Sequence, residues 1–381
     1  MTDNNVNKKI EAYIEYLLNN STAETPMWNK EKILYGTPNK WNYIDGCMIT
    51  AVLSLHEMTG NDRYLDFAKD FVNYFVEENG NIKTYEVEEY NLDNVNAARN
   101  LFYLYDKTGD ERYKKAMDLV RTQLDGQPRT NEGNFWHKKI YPYQVWLDGL
   151  YMAQPFYMRY ETRFNKMSGC ADSIAQFKNV ERLMKNSDTG LYYHGYDESR
   201  EMYWADPETG CSANYWLRAL GWFTVALVET ADAIDESLYD EFRYLTGLLE
   251  RLCESLQKYQ DESGMFWQVV DHPGDEGNYL ETSGTALIAY AVLKGVRLGY
   301  IPETYESMGM RALDGIIDKY LTIDDEGNFN LGGICLVAGL GGKERRDGSV
   351  AYYYSEPVVE NEAKGVAPFL LAYTEILRRK Q

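Results

Sequence analysis

Histidine, cysteine and positive charge are all scarce in this sequence, and each shortage closes off a class of function. Only four histidines occur, His56, His137, His194 and His272. None stands at the His-x-x-x-His or His-Glu-x-x-His spacing that puts two ligands on one helix face, so no metal site is expected, and no cofactor. The five cysteines, at positions 47, 170, 211, 253 and 335, are odd in number and scattered, with no Cys-x-x-Cys pair. That usage fits a reducing cytoplasm better than a disulfide framework. Lysine and arginine number 39 against 59 acidic residues, a net charge of −20. Such a balance argues against nucleic acid and anionic membranes as partners, because both need basic faces. No apolar run reaches the ~18 residues of a membrane span. The N-terminal Met-Thr-Asp-Asn-Asn-Val-Asn-Lys-Lys-Ile lacks the basic-then-apolar order of a secretory signal. A cytoplasmic protein is therefore expected, and oligomeric state is not legible.

Aromatic residues are abundant by contrast, with 33 tyrosines and 8 tryptophans in 381 residues. The apolar share, 44%, is ample for a large core. An internal repeat organises it. Residues 55–64, Leu-His-Glu-Met-Thr-Gly-Asn-Asp-Arg-Tyr, match residues 104–113, Leu-Tyr-Asp-Lys-Thr-Gly-Asp-Glu-Arg-Tyr. In each copy Thr-Gly closes one helix and an Asn or Asp caps the next. The first helix of the pair, as in Cys47 to Met58, is apolar around most of its circumference and should be buried on all sides. The second is one-sided, with Phe67, Phe71 and Phe75 every four residues. Four more buried-type helices follow at roughly 148–160, 216–230, 283–298 and 364–378. Short strand-like pieces at 190–193 and 264–270 fit hairpin turns in the loops. Six pairs of alternating character predict an all-α fold, a closed (α/α)6 toroid in a single domain over 1–381, with an open helical solenoid as the alternative.

In a toroid the loops entering the inner helices converge on one end of the axis. Their last residues are Asp45, Asp93, Asp148, Trp216 with Arg218, Glu281 with Ser283, and Asn361 with Glu362. Singly, a carboxylate at a helix start is a cap. Six entrances carrying such groups together describe a pocket. Residues 134–160 are the most distinctive stretch, because Asp148 sits there among Trp136, His137, Tyr141, Tyr143 and Trp146. Aromatic faces stack on sugar C–H surfaces, and their enclosure is expected to raise the pKa of the acid so that it holds a proton.

Several of these stretches resemble glycoside hydrolase family 105, the unsaturated rhamnogalacturonyl hydrolases, relatives of the unsaturated glucuronyl hydrolases. They are Tyr90-Asn91-Leu92-Asp93-Asn94-Val95-Asn96-Ala97-Ala98-Arg99, Trp136-His137 through Phe156, Tyr193-His194-Gly195-Tyr196-Asp197, Trp216-Leu217-Arg218-Ala219-Leu220-Gly221-Trp222, Ser263 to Trp267, Tyr354 to Pro357 and Asn361 to Gly365. The likeness spans nearly the whole chain, and Trp146 to Phe156 is its most specific part. It implies a small unsaturated oligosaccharide as substrate and hydration of a C4=C5 double bond as the reaction. Asp148 would protonate C4, with Asp93 as the second essential carboxylate. Arg218 would hold the substrate carboxylate, assisted by His194 and His137. Trp146, Trp216, Gln144 and Tyr43 complete the expected substrate-binding set. Val350-Ala351-Tyr352-Tyr353-Tyr354 departs from the family pattern, which has a Glu between aromatics. The Gly339-Leu340-Gly341-Gly342-Lys343 stretch lacks phosphate-loop spacing and reads as a mobile loop over the pocket.

Three competing functions remain. A conventional inverting glycosidase would use Asp148 as acid and Asp93 as base across a water. A non-enzymatic repeat scaffold would place its aromatics along one exposed concave face, not at helix entrances. A toroidal sugar epimerase would need paired histidines, for which only His137 and His194 are available.

Overall fold

The computed structural model describes residues 4–343 and 345–379. The first three residues of the N-terminal segment, and residues 344, 380 and 381 of the proposed single domain, lie outside the described residues. In chain order the helices are α1 (Asn4–Asn19), α2 (Lys30–Tyr35), α3 (Tyr43–Thr59), α4 (Asp62–Phe75), α5 (Asp93–Asn96), α6 (Arg99–Thr108), α7 (Glu111–Gly126), α8 (Leu147–Phe164), α9 (Cys170–Met184), α10 (Leu217–Ala233), α11 (Tyr239–Gln257), α12 (Thr282–Arg297), α13 (Glu306–Tyr320), α14 (Val350–Ser355) and α15 (Ala363–Arg378). Three two-stranded antiparallel pairs lie between them: β1 (Gln144–Trp146) with β2 (Gly195–Asp197), β3 (Leu321–Ile323) with β4 (Phe329–Leu331), and β5 (Ile334–Cys335) with β6 (Val358–Val359).

The two helix characters read from the sequence become two rings. In α10, sixteen of the helix's residues are buried, whereas α4 buries only Tyr64, Ala68, Phe71, Val72 and Phe75. The inner ring runs α3, α5 with α6, α8, α10, α12 and α15, and α15 packs back on α3, so the toroid is closed and the solenoid alternative falls. The repeat owes its sequence to its turns. Gly60 and Gly109 take φ of 67° in the left-handed region, and Asn61 and Asp110 then accept from Arg63 N and Arg112 N.

Two expectations need correction. The six pairs are not all consecutive in the chain. Inner helix α15 is the last long element, and the sixth outer helix is α1, whose Tyr13 hydroxyl donates to Asn361 at the α15 entrance and whose Glu15 pairs with Arg63 of α4. The ring closes through the chain's two ends. The second inner helix is also broken, into α5 and α6 around Ala97 and Ala98. There α3 approaches so closely that a Cβ on Gly46 would lie 2.7 Å from Ala97 Cα. As for strands, residues 190–193 and 264–270 contribute isolated bridges, Lys185 with Tyr192 and Trp216 with Val269, while the extended pair next to the site is β1–β2. Among the described residues no helix is long and apolar enough to cross a membrane.

Candidate active site

The strand pair β1–β2 assembles the centre of the site. Its register sets Trp146 opposite Gly195, and Leu147 N donates to His194 O at 3.1 Å. The residues flanking that pairing, Asp148 on the first turn of α8 and His194 just before β2, are thereby brought face to face. His194 Nε2 stands 3.4 Å from Asp148 Oδ2, an ion-pair contact rather than a formed hydrogen bond. On its other side the imidazole shares a 2.8 Å hydrogen bond between Nδ1 and the Tyr353 hydroxyl. His194 and Tyr353 are wholly buried.

Asp93 joins through His137. His137 Nε2 lies 3.5 Å from Asp93 Oδ1, and Lys138 Nζ lies 2.6 Å from Asp93 Oδ2. The backbone fixes this arrangement, because His137 N donates to Gln144 O and Leu92 N to His137 O. Gly149 makes room, since a Cβ there would press within 3.1 Å of His137 Nδ1. Asp148 Oδ2, His194 Nε2 and His137 Nδ1 are all buried and without a hydrogen-bond partner. Asp148 Oδ2 and His194 Nε2 face only each other, at 3.4 Å, and His137 Nδ1 faces no partner, so the desolvation cost of these atoms is only partly recovered and a ligand or a proton can recover the rest.

The aromatic wall is a stack. Trp146 lies between His137, 4.5 Å away at 19°, and Tyr141, 5.0 Å away at 18°. Trp146 Nε1 donates to Gln144 Oε1 at 3.1 Å, so Gln144 is occupied in orienting the indole. Trp216 stands 4.7 Å from the His194 ring and donates to Gln268. Tyr43 has its edge toward Trp222, and the charges of Asp93 and Arg218 both act on its phenol, which puts it at the same end of the axis.

Electrostatics reverse one expectation. Burial, the largest influence on Asp148, pushes its pKa up, but the contact and charge of His194, together with His137, outweigh it and hold the carboxyl below its ordinary value. His137 is pushed down to about 4, chiefly by burial, against the pull of Asp93. It is therefore neutral near pH 7.

Arg218 is also not where a carboxylate clamp would need it. It is 1% exposed, lies over the Trp216 ring, and its Nη1 donates to Ser283 Oγ and to Cys335 O, with Nη2 3.5 Å from Leu336 O. The guanidinium is directed at the backbone of β5 and the residue after it. The cation that the sequence reading passed over is Lys138, next to His137, with its side chain 20% exposed. Tyr353 and Tyr141 were missed as well. The glycine-rich stretch is folded onto the wall: Leu340 packs with Trp146 and Trp204, and Arg346 of the same loop donates to the Tyr141 hydroxyl. Among the described residues no three His, Cys, Asp or Glu side chains converge to hold a metal ion.

Comparison with known proteins agrees with this geometry. The model of Glycosyl Hydrolase Family 88 matches residues 18–380. A solved structure described as a C. acetobutylicum ATCC 824 glycoside hydrolase from family 105 is 44% identical, covering 88% of this chain and 93% of that one, with a TM-score of 0.85. Protein Atu3128 of Agrobacterium fabrum is 40% identical over 233 residues, 59% of this chain and 98% of that protein. Unsaturated rhamnogalacturonyl hydrolase YesR of Bacillus subtilis is 26% identical over 296 residues, 76% of this chain and 78% of that protein.

Proposed function

The chain belongs to Glycosyl Hydrolase Family 88 and, with its 44%-identical relative, to family 105, and from that premise we propose that it hydrates the C4=C5 double bond of unsaturated uronyl oligosaccharides from lyase-degraded pectin. It is a glycoside hydrolase of the unsaturated glycuronyl and rhamnogalacturonyl group. The expected substrate is unsaturated galacturonyl-rhamnose, a choice supported by the likeness to the unsaturated rhamnogalacturonyl hydrolase YesR.

In this reading Asp148 delivers a proton to C4, and positive charge develops on C5 and the ring oxygen. Water adds to C5 and returns a proton to Asp148. The hemiketal then opens, with its hydroxyl proton moving to the former ring oxygen, and the resulting hemiacetal at C1 releases the leaving sugar. One water is consumed and one residue serves as acid and then base. Asp93, which is held by Lys138 and faces His137, orders the sugar hydroxyls. Lys138 supplies positive charge for the substrate carboxylate, and Tyr141, the outer ring of the stack on Trp146, offers the stacking face.

The observation that carries the proposal is Asp148 Oδ2, buried within an aromatic enclosure with no formed hydrogen bond and only His194 Nε2 facing it, at 3.4 Å. The test is incubation with unsaturated galacturonyl-rhamnose, following ultraviolet absorbance of the double bond. The wild type should consume it and leave the saturated disaccharide intact, and Asp148→Asn should leave both intact. Turnover of the saturated compound would instead favour the inverting mechanism, with Asp93 as the base.

A further inference from the structure

Tyr353 makes one hydrogen bond through its hydroxyl, and the partner is His194 Nδ1 at 2.8 Å. The ring is held from several directions. Trp216 is stacked on it at 11°, Gln268 Nε2 donates to its carbonyl, and Tyr353 N donates to Ser349 O one turn back. A buried phenol that donates leaves Nδ1 as acceptor and the imidazole proton on Nε2, facing Asp148. The opposite orientation would strand the phenol proton, with no acceptor, in a side chain that is 0% exposed.

We propose that Tyr353 is a positioning residue that fixes the tautomer of His194, so that His194 and Asp148 hold and release one exchangeable proton as a unit. This deepens the reading of Asp148 as the acid and rests on it. The unit settles a conflict within that reading. A general acid needs a proton, yet the contact with His194 stabilises the Asp148 carboxylate. In the protonated unit the extra proton resides on the imidazole, Nδ1–H turns to the phenol oxygen, and the hydroxyl rotates from donor to acceptor. Asp148 draws the Nε2 proton as it protonates C4, which leaves the imidazole proton on Nδ1 and the phenol proton briefly without an acceptor, and the proton taken from water returns through Asp148 to Nε2 and restores the unit. The groups bearing on it are few. His137 faces both members, with Asp93 and Lys138 behind it, while Tyr352, Cys335 and Asp347 act on Tyr353 from the other side.

The number of histidines makes a direct test practicable: the four imidazoles can be labelled with 15N and followed by two-bond 1H–15N spectra, with His194→Gln assigning the relevant set. In the wild type at high pH, His194 should carry its proton on Nε2. Tyr353→Phe removes the acceptor for a charged Nδ1–H and only a neutral donor from the other state. The titration of the unit, and with it the alkaline limb of kcat/KM, should therefore move about one pH unit lower, with KM little changed. A wild-type His194 protonated on Nδ1 at high pH would overturn the proposal without any variant. So would a Tyr353→Phe protein whose His194 tautomer and midpoint are unaltered. Full activity in Asp148→Asn alongside the expected spectra would remove the catalytic reading while leaving the tautomer assignment intact.

Discussion

The two ends of the toroid axis treat buried charge in opposite ways. At the far end the C-terminal halves of the inner helices line a cavity of about 190 Å³ with Arg99, Glu229, Asp232, Tyr290, Lys294 and Arg378 among its walls. There the charges are matched. Glu229 takes Arg99 at 2.8 Å, Lys294 at 2.7 Å and the Tyr290 hydroxyl, and Lys294 also reaches Asp232 at 2.9 Å. Burial pushes the Glu229 carboxyl up, but Lys294 and Arg99 prevail and hold it well below the usual carboxylate range. Arg99 Nη1, buried without a hydrogen bond, belongs to a guanidinium lying over the Tyr151 ring. At the entrance end, Asp148, His137 and His194 each keep an unpartnered polar atom. Burying ionisable groups does not by itself make an active site. What distinguishes the candidate site is a buried carboxylate met by a histidine at 3.4 Å and not by a lysine or arginine.

If that contrast is right, each end should fail in its own way. The largest effect is expected at the entrance: Asp148→Asn should lower kcat on the unsaturated disaccharide about 10³-fold with Tm unchanged, because the group serves a proton transfer and no structural bond. At the far end Glu229→Ala strands the buried Arg99 and leaves Lys294 with Asp232 alone, and should cost about 3–5 kcal/mol in urea unfolding, while kcat/KM of the folded enzyme stays the same. An Asp148→Asn protein that loses stability but not activity, or a Glu229→Ala protein that does the reverse, would erase the distinction.

The sequence disclosed the two ends unequally. Inner and outer helices were legible because full and one-sided burial leave different periodicities, and Asp148 stood out as a lone acid among aromatics. The far-end network was invisible, since Arg99, Glu229 and Lys294 come from three helices and each resembles an ordinary helical charge. Arg218 is hard to read from the sequence for a related reason. Its position at an inner-helix entrance was read correctly, but whether a guanidinium faces a pocket or the carbonyls of Cys335 and Leu336 depends on a strand that lies more than a hundred residues downstream. Tyr353 was hidden by the same distance in sequence, 159 residues from His194.

The next effect is one of pH. His137 has its pKa lowered from 6.5 to about 4 by burial, so below the unfolded value the unfolded chain binds more protons than the folded one. The stabilisation from keeping His137 neutral is complete above the unfolded value and is lost as pH falls from there toward 4. Over pH 7 to 5 this contributes a loss of about 2 kcal/mol. Unfolding free energies of wild type and His137→Gln, measured at both pH values, isolate it: the difference between the two proteins should narrow in the acid. A constant difference would mean that His137 is not held neutral, and would make the entrance end more like the far end.

The smallest effect concerns Arg218, the residue whose position belongs to the entrance and whose bonding belongs to the far end's style. Lysine at this position keeps the charge but cannot serve Ser283, Cys335 and Leu336 together, because its single ammonium lacks the planar fork. Arg218→Lys should therefore cost about 1.5 kcal/mol of stability through the lost hydrogen bonds to β5 and its neighbour. If the guanidinium is structural, KM for the unsaturated disaccharide should rise less than about fivefold, since no substrate contact is removed. A KM increase far beyond that, with Tm unchanged, would return Arg218 to the substrate carboxylate. It would also show that β5 moves aside on binding, since the carbonyls that now occupy the guanidinium would have to release it.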